Sequence, residues 1–118
     1  MRLSPQKLGL AMLLLSIAFP LGACSGSADG FSETERHGRS LFILNCSPCH
    51  EDTNLQLKVQ PPRLTGVFTK KMLPSGEPAT DDQVRKTIIS GRGTMPAFDQ
   101  RLNKDDVDAI LKYLHAAK

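Results

Sequence analysis

Cys46-Ser47-Pro48-Cys49-His50 is the stretch on which the reading of this 118-residue chain turns. Two thiols three positions apart, followed at once by an imidazole, form the Cys-x-x-Cys-His pattern of covalent haem attachment. The spacing has a physical reason. Thiols so placed can reach the two vinyl groups on one edge of a porphyrin and form thioethers, and the next side chain then points over the ring face with a nitrogen within reach of iron. Other chemistries fit less well. A thioredoxin-like pair wants a βαβ setting, which the surrounding sequence lacks, and leaves His50 without a task. A zinc site wants four ligands, and besides this cluster only His37 and His115 remain as donors. A disulfide across two intervening residues closes too small a loop to stabilise much.

Upstream, Met1 to Ala23 has a basic start at Arg2 and Lys7, an apolar stretch from Leu8 to Phe19 and a break at Pro20, the layout of an export signal. As an uncleaved membrane helix, Leu8 to Ala23 falls short of the roughly 20 apolar residues that span a bilayer. Leu21-Gly22-Ala23-Cys24 resembles the lipobox of bacterial lipoproteins, in which cleavage exposes the Cys and its sulfur carries a diacylglycerol. Cleavage after Ala28 competes, because Gly26-Ser27-Ala28 also offers small residues. The lipobox is favoured because it gives Cys24, the third of three cysteines, a purpose. The expected organisation is a signal at 1–23, a flexible linker at 24–31 and one domain at 32–118.

That domain is too short for a second core. Aromatic residues make up only 5% of the chain and Trp is absent, so something other than bulky side chains is expected to fill the interior. Arg2 and Lys7 account for two of the 15 basic residues, which leaves the domain nearly balanced against 12 acids. No basic stripe is present to neutralise a phosphate backbone, so nucleic-acid binding is not expected.

The pattern predicts an all-α domain. Ser32-Glu33-Thr34-Glu35 has the form of a capping box, Leu41, Phe42 and Leu44 follow on later turns, and Pro48 disfavours further helix, so the first helix should end near Asn45. Glu51 to Ala79 carries Pro61, Pro62, Pro74 and Pro78 and keeps no amphipathic period, which reads as one long loop wrapped around a cofactor. Thr80 with Asp81-Asp82-Gln83 suggests another capping box, opening a helix through Val84, Ile88 and Ile89 to Gly91. Asn103 can cap a third helix with Val107, Ile110, Leu111 and Leu114 on one apolar stripe and Asp105, Asp106, Asp108 and Lys112 facing water. His37 and His115 lie on polar stretches and are expected to face solvent, as are Lys70, Lys71 and Arg92.

Beyond the haem motif, Gly38 and Phe42 ahead of Cys46, the loop Pro62-Arg63-Leu64-Thr65-Gly66, and Ile110 with Tyr113 near the end resemble the class I cytochrome c family from Phe31 to the C-terminus. The resemblance implies a cytochrome c fold of about three main helices and long loops around one covalent haem c. It implies that the first and last helices cross with Gly38 against Ile110 and Tyr113. It implies that the Pro62 carbonyl accepts a hydrogen bond from the far nitrogen of His50, an outer contact that fixes the tautomer and strengthens the imidazole as a donor. Gly93-Thr94-Met95-Pro96-Ala97-Phe98 resembles the family's axial Met segment and nominates Met95 as second iron ligand, with Met72 as runner-up. Pro96 favours this by keeping Met95 out of helix.

The expected function is one-electron transfer outside the cytoplasm, in the periplasm and tethered to a membrane, between membrane-associated or periplasmic redox proteins. Such a protein is not an enzyme. A haem enzyme or gas sensor with an open or labile sixth position is the alternative, and a thioether bound to iron at Met95 discriminates against it.

Overall fold

The computed structural model describes residues 28–51 and 56–118. The expected signal and Cys24 lie outside the described residues. Among those described, four helices and one 3₁₀ turn make up the regular structure, with two isolated bridges in place of any sheet. No helix among them is long and apolar enough to cross a membrane.

Helix α1, Glu33–Asn45, starts where a reciprocal cap can form: the Ser32 hydroxyl accepts from the Glu35 N–H at 3.3 Å, and the Glu35 carboxylate accepts from the Ser32 N–H at 2.6 Å. Glu35 is consequently held below the usual carboxylate range, chiefly by the Ser32 backbone bond. Gly38 and Phe42 are buried, whereas Leu44 is 75% exposed. The expected apolar run is thus split, because two residues advance a helix by about 200° and put Leu44 opposite Phe42. Pro48 does not stop helical structure either. A second short helix, α2, spans Ser47–His50 with Pro48 in its first turn, where a missing N–H removes no internal bond.

The connection from His50 to Thr80 is more structured than a plain loop. A 3₁₀ turn at Val67–Thr69 puts Val67 into the core, and Met72 and Pro78 form an antiparallel bridge around a turn closed by Leu73 N–H donating to the Glu77 carbonyl at 2.7 Å. Helix α3, Asp81–Ser90, is capped by Thr80, whose hydroxyl accepts from the Gln83 N–H at 3.4 Å, a one-way cap rather than the reciprocal box the sequence suggests. Val84 and Ile88 are buried and Ile89 is 38% exposed, so one i, i+4 pair forms its inner face. Helix α4, Lys104–Ala116, has the full box through Asn103 and Asp106 and buries Val107, Ala109, Ile110, Leu111 and Leu114.

Helices α1 and α4 form the principal packing contact of the fold. A Cβ placed on Gly38 would overlap the Ala109 carbonyl and stand 3.0 Å from the Ile110 nitrogen, so the helices touch backbone to backbone. Tyr113, expected beside Gly38, packs its ring on Phe42 at 5.3 Å and on Phe31 at 5.7 Å. Polar pairs pin the rim. His37 meets Asp106 at 3.1 Å, and His115 stacks on Phe68 at 3.9 Å while bonding Asp81 at 2.7 Å. Both histidines are solvent-accessible as expected, yet each is engaged. Asp108, expected to face only water, is held below the usual carboxylate range by hydrogen bonds from Lys104 and Arg85, the latter reaching across from α3.

Gly38→Ala should force α1 and α4 apart and cost at least the ~1–3 kcal/mol typical of overpacking, because the obstacle is backbone that cannot rotate away. Denaturant unfolding of the mature protein should show a lower midpoint with an unchanged slope.

Candidate functional site

The residues singled out in the sequence lie on three irregular junctions held by the helical frame. Cys46 ends α1, with its N–H donating to the Phe42 carbonyl at 2.8 Å, and Cys49 and His50 return N–H bonds to the Cys46 carbonyl at 3.1 and 2.9 Å. The turn therefore places the two side chains three residues apart on one side of α2. Both thiols are free, Cys46 buried and Cys49 exposed. Burial, and next the neighbouring Cys49, push the Cys46 thiol up to about 11, so at neutral pH it carries its proton. Among the described residues no three His, Cys, Asp or Glu side chains converge as a metal site.

His50 is oriented by its Nδ1, which lies 2.7 Å from the Pro62 carbonyl oxygen. A carbonyl only accepts, so Nδ1 carries the proton and the Nε2 lone pair stays free to bind a metal. The Pro62 segment is held in turn by Glu51. One Glu51 oxygen accepts from Arg63 at 2.7 Å, and the other from the Leu64 N–H, the Thr65 N–H and the Thr65 hydroxyl at 3.2, 3.3 and 3.2 Å. Burial alone would raise the Glu51 carboxyl, but bonds from the Thr65 N–H, Arg63 and the Leu64 N–H outweigh it and hold the group below the usual range. Reading the sequence passes over Glu51. Its signal there is no more than an acid directly after the motif and a basic residue directly after Pro62.

Met95 sits on the segment after α3. Arg92 and Met95 exchange backbone hydrogen bonds at 3.0 and 2.9 Å, and the Phe98 N–H donates to the Ile88 carbonyl at 3.0 Å. This double anchorage presents the Met95 side chain, half-buried, against the core cluster. Gly91 permits the approach. It has φ +69°, and a Cβ there would lie 2.6 Å from the Met95 carbonyl oxygen and 2.8 Å from both the Pro96 carbonyl carbon and the Ala97 nitrogen. Met72, the alternative, is 51% exposed on the earlier loop.

The donor set suits a covalently held haem: two free thiols in register, an imidazole with one nitrogen committed, and a thioether at the edge of the core. Leu57, Val59 and Met72, on the connection between His50 and Met95, leave apolar surface that the chain's own side chains do not cover. An all-α fold with this arrangement defines a class I c-type cytochrome domain.

Comparison with known proteins agrees. The family model described as cytochrome c oxidase, cbb3-type, subunit III matches residues 33–114, and the chain belongs to that family. Cytochrome c6 of Cladophora glomerata is 30% identical over 78 residues, which cover 66% of this chain and 82% of that protein. The cytochrome bc1 complex cytochrome c subunit of Corynebacterium diphtheriae is 30% identical over 82 residues, 69% of this chain but only 26% of the longer relative. The solved structure of cytochrome c6 from the diatom Phaeodactylum tricornutum shares the fold with a TM-score of 0.52 at 24% identity, over 70% of this chain and 91% of that one. The chain is a single-haem c-type cytochrome, an electron carrier whose cofactor is covalent haem c with its iron.

Gly91→Ala meets both a disfavoured φ and fixed backbone, so it should destabilise the haem-loaded protein by about 1–3 kcal/mol. At 4–8 °C per kcal/mol for a domain of this size, the thermal midpoint should fall by roughly 4 °C or more.

Proposed function

We propose that this cytochrome shuttles single electrons outside the cytoplasm, and that Cys46 and Cys49 would hold the haem through thioether bonds while His50 and Met95 would bind its iron. The observation that carries the reading is the 2.7 Å contact from His50 Nδ1 to the Pro62 carbonyl, beside two free thiols one helical turn apart. It commits one imidazole nitrogen and leaves the other for iron. When bound, the haem supplies ferric–ferrous exchange, and a neutral thioether ligand favours the ferrous state.

The chain's own residues do the rest. The thioethers keep the cofactor in an exported protein that has no membrane around it to retain a free haem. His50 is held as a single tautomer, so its Nε2 needs no proton rearrangement when the charge on iron changes. Met95, backed by Pro96 and tied to Arg92, would offer its thioether to the iron and so exclude water, peroxide and carbon monoxide. This favours a carrier over an enzyme or gas sensor.

The setting follows from Cys24. Lipid on that sulfur, with at least two acyl chains at ~0.8 kcal/mol per buried methylene, would hold the domain stably at a membrane surface facing the periplasm. Likeness to a cytochrome bc1 complex subunit and to the cbb3-type family supports membrane-bound redox complexes as partners. The signal at 1–23 and the linker from Cys24 complete this organisation.

Met95→Ala should retain covalent haem, lower the reduction potential and allow rapid carbon monoxide binding by the reduced protein. Optical titration and flash photolysis measure both, and a variant as inert to carbon monoxide as the parent would remove Met95 from the iron. Cys24→Ser should move nearly all the haem from the membrane to the soluble fraction on cell breakage. Retention of the variant at the membrane would refute the lipid tether.

A further inference from the structure

Glu51 closes the short helix α2, with its N–H donating to the Ser47 carbonyl at 2.9 Å. Its side chain is 17% exposed and takes four hydrogen bonds, all from three consecutive residues, Arg63, Leu64 and Thr65. Three of these bonds converge on Oε1, more than its two lone pairs, and the fourth falls on Oε2. Two of the four donors are backbone N–H groups, which no change of side chain at 64 or 65 would remove. Arg63 itself is 66% exposed, which makes its ion pair the most water-screened member of the set.

The two grips are adjacent at both ends. His50 holds the carbonyl of residue 62, and Glu51 holds the residues at 63, 64 and 65. Pro62 has no N–H with which to anchor itself, and Pro61 before it has none either, so this stretch cannot secure its own position through donors at those two places. The position of the Pro62 carbonyl over Nδ1 is therefore set from the far side, by the carboxylate next to the histidine.

We infer that Glu51 is a positioning residue for the haem histidine: by clamping residues 63–65 it keeps the Pro62 carbonyl on His50 Nδ1 and so sets how strongly that imidazole donates to iron. The inference rests on the proposed ligation by His50. A firm Nδ1–H···O bond makes the imidazole more basic and favours the ferric state. Loosening the clamp then weakens the donor and raises the potential.

The test compares haem-loaded wild type with Glu51→Ala, Glu51→Gln and Arg63→Ala. Proton NMR of the reduced protein follows solvent exchange of the His50 Nδ1 proton, a redox titration gives the potential, and denaturant unfolding gives stability. Glu51→Ala should speed exchange tenfold or more and shift the potential upward. Glu51→Gln, which keeps one carbonyl oxygen for the Leu64 and Thr65 donors, should move both in the same direction by less, and it supplies the comparison if the alanine variant does not mature. Arg63→Ala should move neither appreciably. Loss of stability in the Glu51 variants with wild-type exchange and potential would overturn the inference, reducing Glu51 to a structural brace. So would Arg63→Ala reproducing the full effect, since the exposed ion pair would then be the clamp. Failure of the underlying ligation shows elsewhere, as a wild-type protein in which His50 gives no signature of an iron-bound imidazole.

Discussion

Backbone contact between α1 and α4 at Gly38 is the constraint on which the other distances depend. With the Ala109 carbonyl and the Ile110 nitrogen crowding the space of a Cβ, the two helices approach closely enough for the Phe42 and Tyr113 rings to pack at a tilt and for Phe31 to join them. Phe42 also supplies the carbonyl that caps Cys46, and Cys46 is itself part of the buried cluster. The first thiol of the haem motif is thus a core residue. Its placement is inherited from the helix crossing, and any separation of the helices reaches the site through a single turn.

The remaining parts of the site lie on irregular chain, where backbone polar groups must find partners away from regular ladders. The chain meets this with one side chain and with backbone pairs near the ends of helices. Glu51 gathers donors from the Pro62 loop, Arg92 and Met95 satisfy each other, and the Phe98 N–H reaches back to the Ile88 carbonyl in α3. The loop from residue 56 onward is in turn fastened to α4, because the Gly66 N–H donates to the Ala117 carbonyl at 3.1 Å and Phe68 stacks on His115. Loops held in this way become fixed supports for the Met95 side chain and for the Pro62 carbonyl that meets His50. This suits electron transfer, which gains from donors that move little between the two charge states.

Local chemistry was legible without coordinates. The reciprocal cap at Ser32 and a cap at Asn103 follow from residue types at the starts of α1 and α4, whereas the reciprocal box expected at Thr80 is one-way and the full box forms at Asn103 instead. The Cys-x-x-Cys-His stretch declares its cofactor because spacing within five residues is a local property, and Pro96 keeps Met95 out of helix through an equally local effect. Patterns misled where solvent exposure depends on a partner. Leu44 and Ile89 are apolar, yet the helical turn carries each off the inner face, leaving Leu44 75% and Ile89 38% exposed. Pro48 looked like a stop and sits in the first turn of a new helix.

What the sequence determined alone is the haem c cofactor and the starts of α1, α3 and α4, since each depends on residues within a turn or two of one another. Which side chains meet across the chain was decided only by the tertiary structure. Glu51 and Leu64 are thirteen residues apart, and Asp81 and His115 thirty-four. No spacing rule relates such pairs, because the path between them is set by how α1, α3 and α4 pack. The clamp on the Pro62 carbonyl belongs to that second category, and so does the requirement for glycine at position 38 as a matter of contact with Ala109 in particular.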